Sequence, residues 1–125
     1  MLNLKKCSIS LGIVLSCATP LVSSAEPRID SSKAAFHVGA EAMVCGYVAE
    51  VKNFSKGTYL NMGGGYPRQH ISILVWKSDE DAFNSRFGSL EQFRGKHACA
   101  RGLIESYRSA LQLKVSNPQF LRLMQ

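Results

Sequence analysis

Five stretches between Ala42 and Leu121 alternate apolar with polar residues or run nearly continuously apolar: Met43–Lys52, Thr58–Met62, His70–Lys77, Lys96–Tyr107 and Ala110–Val115. Period-two patterning of this kind predicts strands, because successive side chains of a strand point to opposite faces. Phe120–Leu123 extends the last run. Between the third and fourth runs the period changes. Phe83, Phe87, Leu90 and Phe93 recur every three or four residues, which places them on one face of a helix. Ser78-Asp79-Glu80-Asp81 precedes them and predicts a capping-box-like start, with its acids as capping groups at the positive end of the helix dipole. Gly88 predicts a bend or split in that helix.

An all-β chain with one inserted helix between its third and fourth strands suits a five-stranded Greek-key barrel of the OB type. The apolar stripe of the helix is then the plug that closes one end of the barrel. Barrels of this type often bind oligonucleotides or oligosaccharides on one face.

The first part of the chain follows other rules. Lys5 and Lys6 precede the apolar run Ile9–Ala18, and small residues follow, with Ser23 and Ala25 at the −3 and −1 places of a cleavage site before Glu26. Residues 1–25 read as a secretory signal peptide, which predicts a periplasmic or secreted bacterial protein. A retained anchor would need roughly 20 apolar residues, more than this run supplies. Lipidation at Cys17 is a further alternative, although Leu15 is bulky where such a motif takes a small residue. Residues 26–35 are polar and predict a flexible segment, which leaves 36–123 as one compact domain. Without the leader, Lys and Arg fall from 15 to 13 against nine Asp and Glu, a net charge of +4. That mild bias permits attraction to a polyanion without requiring it.

Cys45 and Cys99 are the cysteines left after the leader. An even pair in a small exported domain favours a disulfide. In a barrel of this type the first and fourth strands are neighbours. Alternation turns Val44, Gly46 and Val48 inward in one, and Ala98, Ala100 and Gly102 in the other, so both thiols face outward on the same side. The competing reading is an open zinc site from His97, Cys99 and Cys45. No paired Cys-x-x-Cys or His-x-x-x-His spacing accompanies it, so no metal or other cofactor is implied.

If Thr58, Leu60 and Met62 face the core, as do Ile71, Ile73 and Val75, then Tyr59, Asn61, His70, Ser72, Leu74 and Trp76 form the outer face of the second and third strands. Lys52, Lys56, Arg68 and Lys77 flank it. Rings on which bases stack, framed by cations that follow phosphates, are what unpaired DNA or RNA requires. Half-buried rings are also ordinary in sheets, and Tyr59 and Trp76 fit that description as well. Gly63-Gly64-Gly65 is followed by a strand and not by a helix, so it is no P-loop; it predicts a wide turn with Arg68 at its exit.

Val44-x-Gly46-x-Val48-x-x-Val51, Ser55-x-Gly57-x-x-Leu60-Asn61-x-Gly63, Tyr66-Pro67, Gly95-Lys96, Gly102-x-Ile104-x-x-Tyr107 and Val115-x-x-Pro118-Gln119 resemble small exported bacterial OB-fold proteins of the nucleic-acid-binding, tRNA-anticodon-binding-like group. The resemblance covers about residues 36–123. It implies an OB barrel and a binding role, and it departs from the pattern at Ala98 and Ala100, where a bulky aliphatic is usual. These small residues predict a locally thinner core filled by a neighbouring aromatic. No nucleophile, base and orienting group recur at a spacing that recommends catalysis, so the expectation is a non-enzymatic binder. Its ligand is single-stranded nucleic acid on the outer face of the second and third strands or, alternatively, a protein or glycan within an envelope or secreted complex.

Overall fold

The computed structural model describes residues 26–124; the expected signal peptide, with its alternatives of anchor and lipidated Cys17, lies outside the described residues. Eight strands follow in order: β1 Arg28–Asp30, β2 Glu41–Phe54, β3 Gly57–Met62, β4 Ile71–Trp76, β5 His97–Leu103, β6 Glu105–Tyr107, β7 Ala110–Lys114 and β8 Leu121–Leu123. They hydrogen-bond in the order β6-β7-β4-β3-β2-β5-β8, with β1 added parallel to β2. Since β5 runs into β6 through Ile104 alone, the path closes on itself. The result is the Greek-key barrel expected of the OB type.

A single bulge makes the closure possible. Ala42, Val44 and Val48 are buried in the first half of β2, which pairs with β5, whereas Val51 is buried in the second half, which pairs with β3. The inward set changes parity because the register shifts between Val48 and Glu50. One extra residue there bends the strand so that it serves both sheets. The fourth run is likewise broken. Ile104 is fully buried and its N–H donates to Ala40 O at 3.0 Å, so the strand predicted over Lys96–Tyr107 becomes β5 and β6.

Two terminal expectations need correction. The segment 26–35, predicted flexible, carries β1 in parallel register with Met43–Cys45 and enters a 3₁₀ helix, Ser31–His37. Ile29 packs on the core, Ala34 is fully buried, and Ser31 lies over Gly46 so closely that any Cβ at position 46 would collide with its hydroxyl. Phe120–Leu123 does not extend the fifth predicted strand. After a 3₁₀ turn capped by Asn117, β8 runs antiparallel to β5, pairing Leu121 with Ala100 and Arg122 with Cys99.

The plug has the predicted face and a different entry. The chain leaves β4 directly into a 3₁₀ turn, Lys77–Asp79, so Ser78 is already inside the turn and the predicted capping box does not form. Helix α1, Glu80–Phe87, has no side-chain cap, and Glu80 instead accepts from Thr58 Oγ1 at 2.8 Å. Gly88 ends α1 at φ +86°, in the left-handed region glycine enters freely, and Ser89 caps a second turn, Leu90–Phe93. Phe83 and Phe93 are fully buried in the same hydrophobic cluster as Ala98 and Ala100. Phe87 is half-buried and meets Phe93 edge to face.

Candidate functional site

The sheet registers set three rows of residues across the outside of the barrel. Lys52 pairs with Tyr59, Tyr59 with Leu74 and Leu74 with Lys114, so a ring and an aliphatic side chain lie between two lysines. On one side runs a polar row, Glu50–Asn61–Ser72–Gln112–Glu105. On the other run Phe54, Gly57 and Trp76. Phe54 stacks on Tyr59, ring centroids 4.8 Å apart and 9° from parallel, and the Lys114 ammonium stands 5.9 Å from the Trp76 ring centre.

Asn61, Ser72 and Gln112 of the polar row form the floor of a cleft of about 300 Å³. Its walls come from two loops. The β3–β4 connection contributes Tyr66 and Gln69; the β6–β7 hairpin contributes Tyr107 and Arg108; Lys52, Tyr59, Ala110 and Leu111 complete the lining. Both hairpin residues, Arg108 and Ser109, have positive φ (50° and 67°), the two-residue turn whose twist matches the strands it joins. Neither is glycine or asparagine, so this turn holds mild backbone strain while it presents Arg108 at the cleft.

A directional hydrogen-bond chain runs along the floor. Glu50 Oε1 accepts from the Tyr66 N–H at 2.9 Å and from Asn61 Nδ2 at 2.8 Å. These donors, the backbone N–H foremost, hold the Glu50 carboxyl below its ordinary value. Asn61 Oδ1 accepts from Ser72 Oγ at 2.6 Å, and Ser72 Oγ accepts from Gln69 Nε2 at 3.3 Å.

Of the residues predicted to bind, Lys52, Tyr59 and Asn61 line the cleft. The outer face is not the open platform expected. Asn61, Ser72 and Leu74 are only 2%, 6% and 1% exposed, and the loop and hairpin wall the cleft around Asn61 and Ser72. Trp76 shares the face but lies beyond the cleft, under Lys114. Lys56 and Lys77 are exposed at the same end, joined by a backbone bond from Lys77 N–H to Lys56 O of 2.7 Å. Arg68 is exposed in the glycine-rich connection, away from the lining. His70 precedes β4 and leaves its alternation; its Nδ1 lies 2.9 Å from Ser31 Oγ, on the N-terminal turn.

Glu50, Phe54, Tyr66, Gln69, Tyr107, Arg108 and Gln112 are the additions. The alternation of Ala110, Gln112 and Lys114 against Leu111 and Leu113 is a signal that could have placed Gln112 on the outer face. Nothing local marks the loop residues.

Cys45 and Cys99 are directly opposite on β2 and β5 and are joined by a disulfide, so their thiols are not open to a metal. Among the described residues no group of three His, Cys, Asp or Glu side chains is placed to hold one, and no helix is long and apolar enough to cross a membrane.

No protein-family model matches the chain, and neither does a curated protein. Solved structures do. An OBody, AM3L15, bound to hen egg-white lysozyme is 14% identical, over 83% of this chain and 98% of that one, with a TM-score of 0.56. The Stn1–Ten1 complex of S. pombe is 18% identical over 68% of this chain and 58% of that one, TM-score 0.52. A putative aspartyl-tRNA synthetase from Leishmania major Friedlin is 12% identical over 85% of this chain and 23% of that one, TM-score 0.51. This chain thus spans little more than half of the Stn1–Ten1 chain and under a quarter of the synthetase. Likeness at these identities shows the fold: an OB barrel with one short inserted helix.

Proposed function

We propose that this protein is an exported, non-catalytic OB module that binds single-stranded nucleic acid across β3 and β4. The observation that carries the reading is the row Lys52–Tyr59–Leu74–Lys114, with Phe54 stacked behind Tyr59 and the cleft before it. A base entering the cleft stacks on tyrosine. The strand then passes toward Trp76, with phosphates beside Lys52, Arg108 and Lys114. Export into an oxidising, bacterial envelope or extracellular setting is supported by the leader-like N-terminus and by the Cys45–Cys99 bridge.

Titration of the purified protein with a labelled single strand at low and moderate salt tests the reading. Three phosphate contacts give a slope of about −2 in log K against log salt, hence a loss of about 16-fold between 50 and 200 mM. A second reading, a protein or glycan ligand, is favoured by the neutral floor of amides and hydroxyl and by the OBody that holds lysozyme on the same fold. Absence of strand binding at 50 mM salt would support that second reading.

A further inference from the structure

We infer that Glu50 is a positioning residue: by accepting the Tyr66 N–H it holds the Tyr66 ring at the cleft as a second stacking surface beside Tyr59. The role rests on the single-strand reading above and adds to it a ring and the residue that keeps that ring in place. The connection between β3 and β4 opens with Gly63-Gly64-Gly65, residues that lose the most backbone freedom when a loop is ordered. Its ends are fixed by backbone bonds, Gly63 N–H to Tyr47 O at 2.8 Å and His70 N–H to Met62 O at 2.7 Å. Between them a turn closes from Arg68 N–H to Gly65 O at 2.7 Å, with Tyr66 and Pro67 at its centre. Glu50 ties that turn to β2. Its Oε1 accepts the Tyr66 N–H at 2.9 Å, and Gly65 lies so near that a Cβ there would stand 3.4 Å from the same oxygen. A backbone N–H bonded to an ionised carboxylate is among the stronger hydrogen bonds.

The same oxygen accepts Asn61 Nδ2 at 2.8 Å. Asn61 is floor and Tyr66 is wall, so one carboxylate oxygen sets the wall against the floor. The ring is open to a ligand, since Tyr66 is 69% exposed and lines the cleft together with Tyr59. A ring already held on an ordered turn offers a base its face without the entropy cost of ordering the loop on binding. A carboxylate so close to the cations expected to meet phosphates is otherwise unfavourable for a polyanion. Its use is as an acceptor, and an uncharged acceptor of the same shape should serve in its place.

The test is equilibrium titration with labelled oligo(dC) at about 50 mM salt, well below each variant's unfolding temperature. Tyr66→Ala should weaken binding by about tenfold, the size of one base–ring stack. Glu50→Ala should weaken it by about three- to tenfold, because the ring is present but no longer held. Glu50→Gln keeps an oxygen for both donors and should restore affinity to within about threefold of wild type. In the double variant Glu50→Ala/Tyr66→Ala the losses should not multiply: with no ring to hold, removal of Glu50 adds less than about twofold. A merely structural role for Glu50 would lower the urea midpoint and leave the two losses independent, so that they multiply. Multiplying losses, Tyr66→Ala binding like wild type, or Glu50→Gln as weak as Glu50→Ala overturns the inference and leaves the single-strand reading standing. No binding by wild type overturns both.

Discussion

Replacing Cys45 and Cys99 together by alanine removes the one covalent constraint between the two halves of the barrel. The cysteines are 54 residues apart in sequence. For a loop of this length the chain-entropy account assigns about 4 kcal/mol to the cross-link. The bridge joins residues already paired in the β2–β5 register, and Cys99, only 3% exposed, is flanked on its other side by Arg122 of β8. Two alanines at these outward positions leave the inward packing of Val44, Ala98 and Ala100 untouched, so the loss is chiefly that of the constraint. A domain of about 100 residues has an unfolding entropy near 0.2 kcal/mol/K, so the melting temperature should fall by about 20 °C. The assay is thermal and urea unfolding of the double variant beside wild type. Non-reducing alkylation and mass spectrometry of the native protein should show both thiols protected. A fall below about 5 °C, far less than the loop length predicts, or free alkylation of both thiols would refute the reasoning.

Phe93→Ala empties a fully buried ring from the plug and should cost about 3–5 kcal/mol in urea unfolding, whereas half-buried Phe87→Ala should cost clearly less. Ser109→Gly relieves a left-handed, non-glycine residue and should raise stability by about 1 kcal/mol, read as a shift of the urea midpoint. Glu50 and Asp30 have carboxyls held below their ordinary 4.5 and 3.8, Glu50 by the Tyr66 N–H and Asn61, Asp30 by Ser32. A depressed folded-state value means stability fully present above the ordinary value and lost as pH falls through the depressed one. Unfolding free energy should therefore decline below pH 4.5, and Glu50→Gln should flatten part of that decline.

The strand order and the faces of the core strands were legible because Leu60, Ile71, Ile73 and Val75 obey period two without interruption. The Cys45–Cys99 pairing was legible for the same reason, since parity and neighbouring strands suffice to place both thiols outward. Less was visible where one residue breaks the rule. The bulge between Val48 and Glu50 and the kink at Ile104 are set by closure of the barrel, a tertiary demand with no local signature. β1 escaped because Arg28–Asp30 is short and polar and is held by the edge of β2. Of the candidate site, alternation placed Tyr59 and Asn61 on the face that lines the cleft, and Trp76 on the same face beyond it. It could not see that Tyr66, Gln69, Tyr107 and Arg108 wall the cleft, because loop residues have no period. His70 was misplaced because β4 begins at Ile71, one residue later than the predicted run.

The account turns on whether the Tyr59 face takes a single strand. The most direct measurement is titration of labelled oligo(dC) with wild-type protein and Tyr59→Ala at about 50 and 200 mM salt. Wild type should bind and weaken by about 16-fold between the two salt concentrations. Tyr59→Ala should bind more weakly by about 1–3 kcal/mol at both, with the salt slope unchanged, since stacking is lost and the phosphate contacts remain. No binding by wild type at the lower salt, or equal binding by Tyr59→Ala, would contradict it.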